Sequence, residues 1–209
     1  MSELDWIVCG WYTPDYEPWF EKLEQSLIEH GAPYSFRAAP KIAGGWARNT
    51  CRKAAFALEA IKRYPAKTVI FLDTDCTVTG DLGKLAALTC DVACRCDMSP
   101  RHSWKGKLRM QMLPLTGHLV LKPTAKTRQL IEAWAQISAA PPSGANDQET
   151  FMLAMGKVDD LNLLHIGKSA GGMIVHDCAS AAAGVHKAAE VGCIERWTRS
   201  FARKKFATV

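Results

Sequence analysis

The chain lacks several features that would assign it to a simple class. No apolar stretch is long enough to span a bilayer, so a transmembrane helix is not expected. Glu3 and Asp5 interrupt the start before any apolar run develops, so a secretory leader is not expected either. There is no internal repeat and no low-complexity tract, which argues against solenoids and linkers. The excess of positive charge is small, +5 over 209 residues, and gives no reason to expect a nucleic-acid partner. Cysteine is not scarce, at eight residues, but it is scattered. Cys90, Cys94 and Cys96 lie close together, yet no second Cys/His pair completes a zinc-finger spacing. Free buried thiols in a reducing cytoplasm are the expectation. With 48% hydrophobic and 22% charged residues, the composition is that of one ordinary globular domain over 1–209.

What the chain does have is organised around Thr68-Val69-Ile70-Phe71-Leu72-Asp73-Thr74-Asp75. A short continuous apolar run predicts a strand buried on both faces, as in a parallel sheet. Ligands of such sheets sit where the strands end, and there the run meets two carboxylates. Asp73 and Asp75 repel unless a cation or a shared proton offsets them. Magnesium or manganese, bound by one or two carboxylates together with substrate phosphates, answers that need. An Asp-rich turn capping the next element is the plainer alternative.

Upstream, Trp6 to Cys9 predicts a first strand. A helix from about Asp15 carries the stripe Phe20, Leu23, Leu27 and Ile28 and closes at Gly31. Tyr34 to Arg37 predicts a second strand, so the chain opens as a strand–helix–strand unit of an α/β fold. Tyr12, Thr13 and Tyr16, at the first strand's end, are placed to dock a base or ribose, or to pack a βα loop. After Gly44-Gly45-Trp46, Asn49 or Thr50 is expected to cap a helix running to about Arg63. Arg48, Arg52 and Lys53 stand at the wrong end for that helix's dipole, which suits either a phosphate ligand or a solvated face.

Asp91 to Arg95 predicts a further strand, and Met98 to Met112 a polar irregular loop beside the site. Thr116-Gly117-His118 leads into the apolar Leu119-Val120-Leu121. Pro123-Thr124 opens a helix whose stripe of Leu130, Ile131, Trp134 and Ile137 belongs to a core. Asn146 and Glu149 are spaced as a capping box around Asp147 and Gln148. The last third carries His165, His176 and His186 and ends in a basic, aromatic-rich tail at about 195–209. That tail suits peripheral membrane contact or a solvated terminal helix.

This order of motifs resembles the GT-A glycosyltransferases, in particular the retaining glycogenin-like and lipopolysaccharide-galactosyltransferase group. Asp73-Thr74-Asp75, Thr116-Gly117-His118-Leu119-Val120, Asp147-Gln148 and a late histidine carry the resemblance. It implies a single Rossmann-like α/β domain with a mainly parallel sheet flanked by helices. It further implies transfer of a sugar from a nucleotide-diphosphate donor, a UDP-sugar by family habit, with retention. The acceptor would be a glycan, a lipid-linked sugar, a protein or a small molecule, and the site cytoplasmic. By this resemblance Asp73, Asp75 and His176 hold Mn2+ or Mg2+, with His165 as a rival ligand. Asp147 and Gln148 would face the transferred sugar and acceptor as catalytic residues. Tyr12, Thr13, Tyr16, Arg48, Lys53, Thr74 and Gly117 would bind the donor. The Lys-Pro-Trp that follows the histidine in glycogenin-like members is absent, which leaves Lys168 and Lys187 as candidates for the diphosphate contact. Two other readings compete. Leu72 to Val78 also fits a haloacid dehalogenase-type phosphatase, with Asp73 as nucleophile, Asp75 as acid/base and Asp159-Asp160 as a late acidic pair. The other is a sugar- or nucleotide-binding module without turnover.

Overall fold

The computed structural model describes residues 4–102, 108–167 and 169–176. Its central sheet has the order β2-β1-β3-β6-β5-β7, built from β1 (Trp6–Tyr12), β2 (Tyr34–Ala38), β3 (Thr68–Leu72), β5 (Val92–His102), β6 (Leu108–Leu121) and β7 (Leu163–His165). Between β3 and β5 lies the short β4 (Cys76–Val78), which pairs outside this sheet with β8 (Ile174–His176). Five strands of the central sheet run one way, and β6 alone is reversed between β3 and β5. The expected α/β domain with a mainly parallel sheet flanked by helices is therefore observed.

Every residue of β3 is buried because both faces of the sheet are covered. On one face Val8, Ile70, Leu72 and Val120 pack under α1 (Glu17–Glu29). On the other, Ile7, Val69, Phe71, Leu119 and Leu121 meet α3 (Lys53–Arg63), α5 (Ala125–Ala139) and α6 (Asp147–Met155). Strand alternation thus sends consecutive apolar residues to opposite cores, which is why the run needs no polar member. β1 pairs with β2 on one side and β3 on the other, so the chain reverses its direction of growth there. The crevice at such a switch point, beyond the carboxyl ends of β1 and β3, is where this topology places ligands.

Several sequence expectations are corrected. Ile28 is 62% exposed, outside the buried stripe of α1. The helix expected to start at Asn49 or Thr50 begins earlier, as α2 (Gly45–Thr50), and breaks before α3. Positive φ at Gly44 (114°) and Gly45 (79°) turns the chain into α2. Asn49 does not cap: its amide bonds the Ile42 backbone and the Gly45 carbonyl, clamping the preceding loop. The polar stretch from Met98 to Met112 is strand wherever it is described, with β5 and β6 paired out to His102 and Leu108. By contrast, the capping box at α6 forms as read, and Thr124 caps α5. The remaining helix, α4 (Gly83–Ala86), is a single turn. Cys9, Cys51, Cys76, Cys90, Cys94 and Cys96 are buried and free of disulfides. Among the described residues no helix is long and apolar enough to cross a membrane. Lys168, Asp177 to Ser180, His186, Lys187 and the basic tail lie outside the described residues.

Candidate active site

A cavity of about 800 Å³ opens at the crevice and takes in the ends of β1 and β3. Tyr12, Thr13, Tyr16, Lys53, Asp73, Thr74, Asp75, Gly117, Asp147, Gln148 and His176, all singled out in the sequence, border it. Arg48 does not: its guanidinium is turned to the Ala139 carbonyl. Arg52 is likewise engaged elsewhere, donating to the Pro40 carbonyl and lying over the Trp11 and Phe56 rings. Asp159 and Asp160 are exposed and away from the cavity, so the late acidic pair of the phosphatase reading is missing from the site.

The two D-x-D carboxylates have different partners. Lys53, 5% exposed, sends its ammonium to both Asp73 oxygens at 2.7 and 2.9 Å and to Asp147 Oδ2 at 2.7 Å. Thr116 Oγ1 donates to the same Asp147 oxygen at 2.5 Å. Burial pushes the Lys53 pKa down, but the Asp147 and Asp73 charges outweigh it and hold the ammonium protonated. Burial likewise works against an ionised Asp147, yet Lys53 keeps that carboxyl below its ordinary range. Asp73 ends up above its usual range, because burial and the nearby Asp75 charge exceed the pull of Lys53. Asp75 faces the other way, with Oδ1 3.0 Å from His176 Nε2. Burial alone would lower the His176 pKa; the bond to Asp75 and the two Asp charges raise it instead. His165 is remote from this group, with Nδ1 accepting from the Cys96 N–H at 3.0 Å.

A bulge delivers the third wall. Adjacent residues Cys94 and Arg95 pair with Leu119 and Leu115, so Thr116, Gly117 and His118 are extra residues in β6. A Cβ at Gly117 would come within 2.8 Å of His176 Cε1, so only glycine lets the imidazole lie against the strand. His118 lines the cavity at 3% exposure, and among the described residues neither ring nitrogen has a hydrogen-bond partner. Burial, with help from the His176, Arg95 and Lys53 charges, pushes its pKa down to about 4, so the ring is neutral at pH 7. A buried polar group without a partner costs about 1–3 kcal/mol, and such exceptions point to a ligand or water. The sequence signal was available in the Thr-Gly-His triplet, but nothing in it announced a bulge.

Oxygen and nitrogen donors of Asp75 and His176 stand together with the Cys76 sulfur, all within 4.8 Å, and Gly117 leaves room beside them. These residues fit a divalent metal.

No protein-family model matches the chain, and no curated protein matches it. Solved structures do. A glycosyltransferase involved in the glycosylation of the major capsid of PBCV-1 superposes with a TM-score of 0.57 at 13% identity, over 88% of this chain and 98% of that one. The WbbM bifunctional glycosyltransferase gives 0.52 at 14% identity over 78% of this chain, which spans 39% of WbbM. At such identity the likeness establishes the fold alone, which this chain shares with these glycosyltransferase structures.

Proposed function

We propose that the chain is a metal-dependent glycosyltransferase taking a sugar from a nucleotide-diphosphate donor, in the first instance a UDP-sugar. The acceptor is a hydroxylated molecule such as a glycan, lipid-linked sugar or small molecule, and transfer proceeds with retention by the motif resemblance. One observation carries the proposal: Asp73, Asp75, His176, Lys53 and Asp147 converge on one wall of a cavity at the β1–β3 switch point.

In this reading Asp75 and His176, with Asp73 alongside, hold a divalent ion. When bound, the ion offsets charge on the diphosphate leaving group. Tyr12, Thr13 and Tyr16 dock the base and ribose, while Thr74 and Gly117 border the diphosphate. Lys53 keeps Asp73 and Asp147 oriented rather than reaching phosphate as a free cation. Asp147, held ionised by Lys53 and Thr116, presents a fixed carboxylate toward the transferred sugar. Gln148 stands beside it toward the acceptor. Calorimetric titration of UDP with and without manganese, into wild-type and Asp75→Asn protein, tests the proposal. Binding that requires both manganese and Asp75 is expected. Equal UDP affinity in all four arms would remove the metal-diphosphate reading.

A further inference from the structure

The donor set that converges here is mixed rather than purely hard. β4 and β8 pair antiparallel with Cys76 directly opposite His176. Opposed residues share one face of a ladder, with Cβ atoms about 4.5–5.5 Å apart. Asp75, the residue before β4, brings Oδ1 to 3.0 Å from His176 Nε2. One ligand atom from each of Asp75, Cys76 and His176 therefore lies within 4.8 Å of the other two. A tetrahedral centre with bonds of about 2.0–2.3 Å places its donors roughly 3.3–3.7 Å apart, so small side-chain rotations close the set. The Cys76 thiol, 1% exposed at the edge of the core, makes a long contact of 3.6 Å to the Gly117 carbonyl. Asp73, in contrast, already has both oxygens on Lys53.

We infer that the Cys76 thiolate completes the metal site, so that Asp75, Cys76 and His176 form a three-donor centre selective for a thiophilic divalent ion such as zinc or cobalt over magnesium. The inference rests on the reading of Asp75 and His176 as metal holders and adds the third donor and the selectivity. Thiolate and imidazole favour zinc-like ions, whereas magnesium prefers an all-oxygen shell. The sulfur–metal bond forms as the thiol proton leaves to bulk water, so binding releases one proton at Cys76. A metal held by these residues would border the cavity that Asp75 and His176 line, and zinc sites with three protein ligands keep one position for water or substrate.

Cobalt titrated into the full chain, without nucleotide, reads the inference directly through thiolate-to-cobalt charge-transfer absorption in the near ultraviolet. The wild type is expected to develop the band, Cys94→Ser to keep it, and Cys76→Ser to lose it with at least a tenfold drop in zinc affinity. Should Cys76→Ser fail to fold, His176→Ala, which removes a partly exposed ring, must lose the same band. Absence of the band in the wild type, or its survival in either of those two variants, overturns the inference. Manganese- and Asp75-dependent UDP binding without a cobalt–thiolate band would overturn the thiolate alone and leave the transferase reading standing.

Discussion

The two aspartates of Asp73-Thr74-Asp75 are two residues apart in sequence and occupy opposite electrostatic worlds. Asp73 joins a closed network in which one buried ammonium serves two carboxylates and a threonine completes the shell. Asp75 joins an open group with His176 and Cys76 at the cavity wall. In the first region a cation of the protein itself faces both carboxylates. In the second, the donors are oxygen, sulfur and a ring nitrogen of one residue each, all within 4.8 Å of one another. The two carboxylates of one D-x-D pair thus have different partners: Asp73 meets the buried ammonium of Lys53, and Asp75 meets the imidazole of His176.

Lys53→Met tests this comparison most severely. It leaves the buried Asp147 and the partly exposed Asp73 without their cation, and breaking a buried pair such as Lys53–Asp147 costs about 3–5 kcal/mol. Urea denaturation at pH 7 is expected to show a loss of that size, and a cost below about 1 kcal/mol would mean that the network is not what holds this wall. Next in size is an effect of pH. Burial pushes the His118 pKa down to about 4 in the folded chain, against an ordinary histidine value near 6.5. Between those values the unfolded chain binds more protons, so stability rises with pH across the window and is lost as pH falls through it. Burial, His176, Arg95 and Lys53 all act in this direction. The full span amounts to about 3 kcal/mol. His118→Leu should flatten that slope in denaturation curves between pH 4 and 6.5. It should also hold or raise stability at pH 7, since it removes two unsatisfied nitrogens.

Gly117→Ala probes the junction between the regions. Its new methyl would meet His176 on one side and lie 3.4 Å from Asp73 Oδ2. Overpacking of this kind costs about 1–3 kcal/mol. The expected loss falls mainly on metal affinity, because the β8 ring is easier to displace than the Lys53-bound carboxylate. Equal metal affinity in Gly117→Ala and wild type would show that His176 does not need to lie against β6.

Most of what places the site was legible in local pattern. Val69 to Leu72 ran apolar because both sheet faces are covered. Asp147 was marked by the capping box around it, and His176 by a motif. Partnership was not legible, because it depends on register between distant strands. Lys53 read as a helix-start cation for a donor phosphate or a solvated face, yet it is buried between Asp73 and Asp147, 20 residues on in one case and at the head of α6 in the other. Met98 to Met112 read as a loop because its residues are polar. The alternation in Arg109-Met110-Gln111-Met112 was the period-two signal of the strand that is there. The bulge at Thr116 to His118 left no mark in composition, and with it went the orphaned His118 ring. Cys76 was counted among scattered buried thiols, since only the pairing of β4 with β8 sets it opposite His176.

The smallest expected effect separates the two histidines that the sequence left as rivals. His165 sits at the exposed edge strand β7, where Nδ1 takes one hydrogen bond from the Cys96 backbone. Deleting that acceptor in His165→Ala removes one net hydrogen bond, about 0.5–1.5 kcal/mol, and touches neither Asp75 nor Cys76. Metal affinity measured by calorimetry should be unchanged from wild type. His176→Ala removes a donor 3.0 Å from Asp75 Oδ1, and its metal affinity should fall at least tenfold, while the Lys53 network and hence the urea midpoint move little. The reverse order, a loss of affinity in His165→Ala and none in His176→Ala, would move the metal to the β5–β7 edge beside Cys94 and Cys96. It would also leave Asp75 and Asp73 alike as scaffold carboxylates, erasing the difference between the two regions.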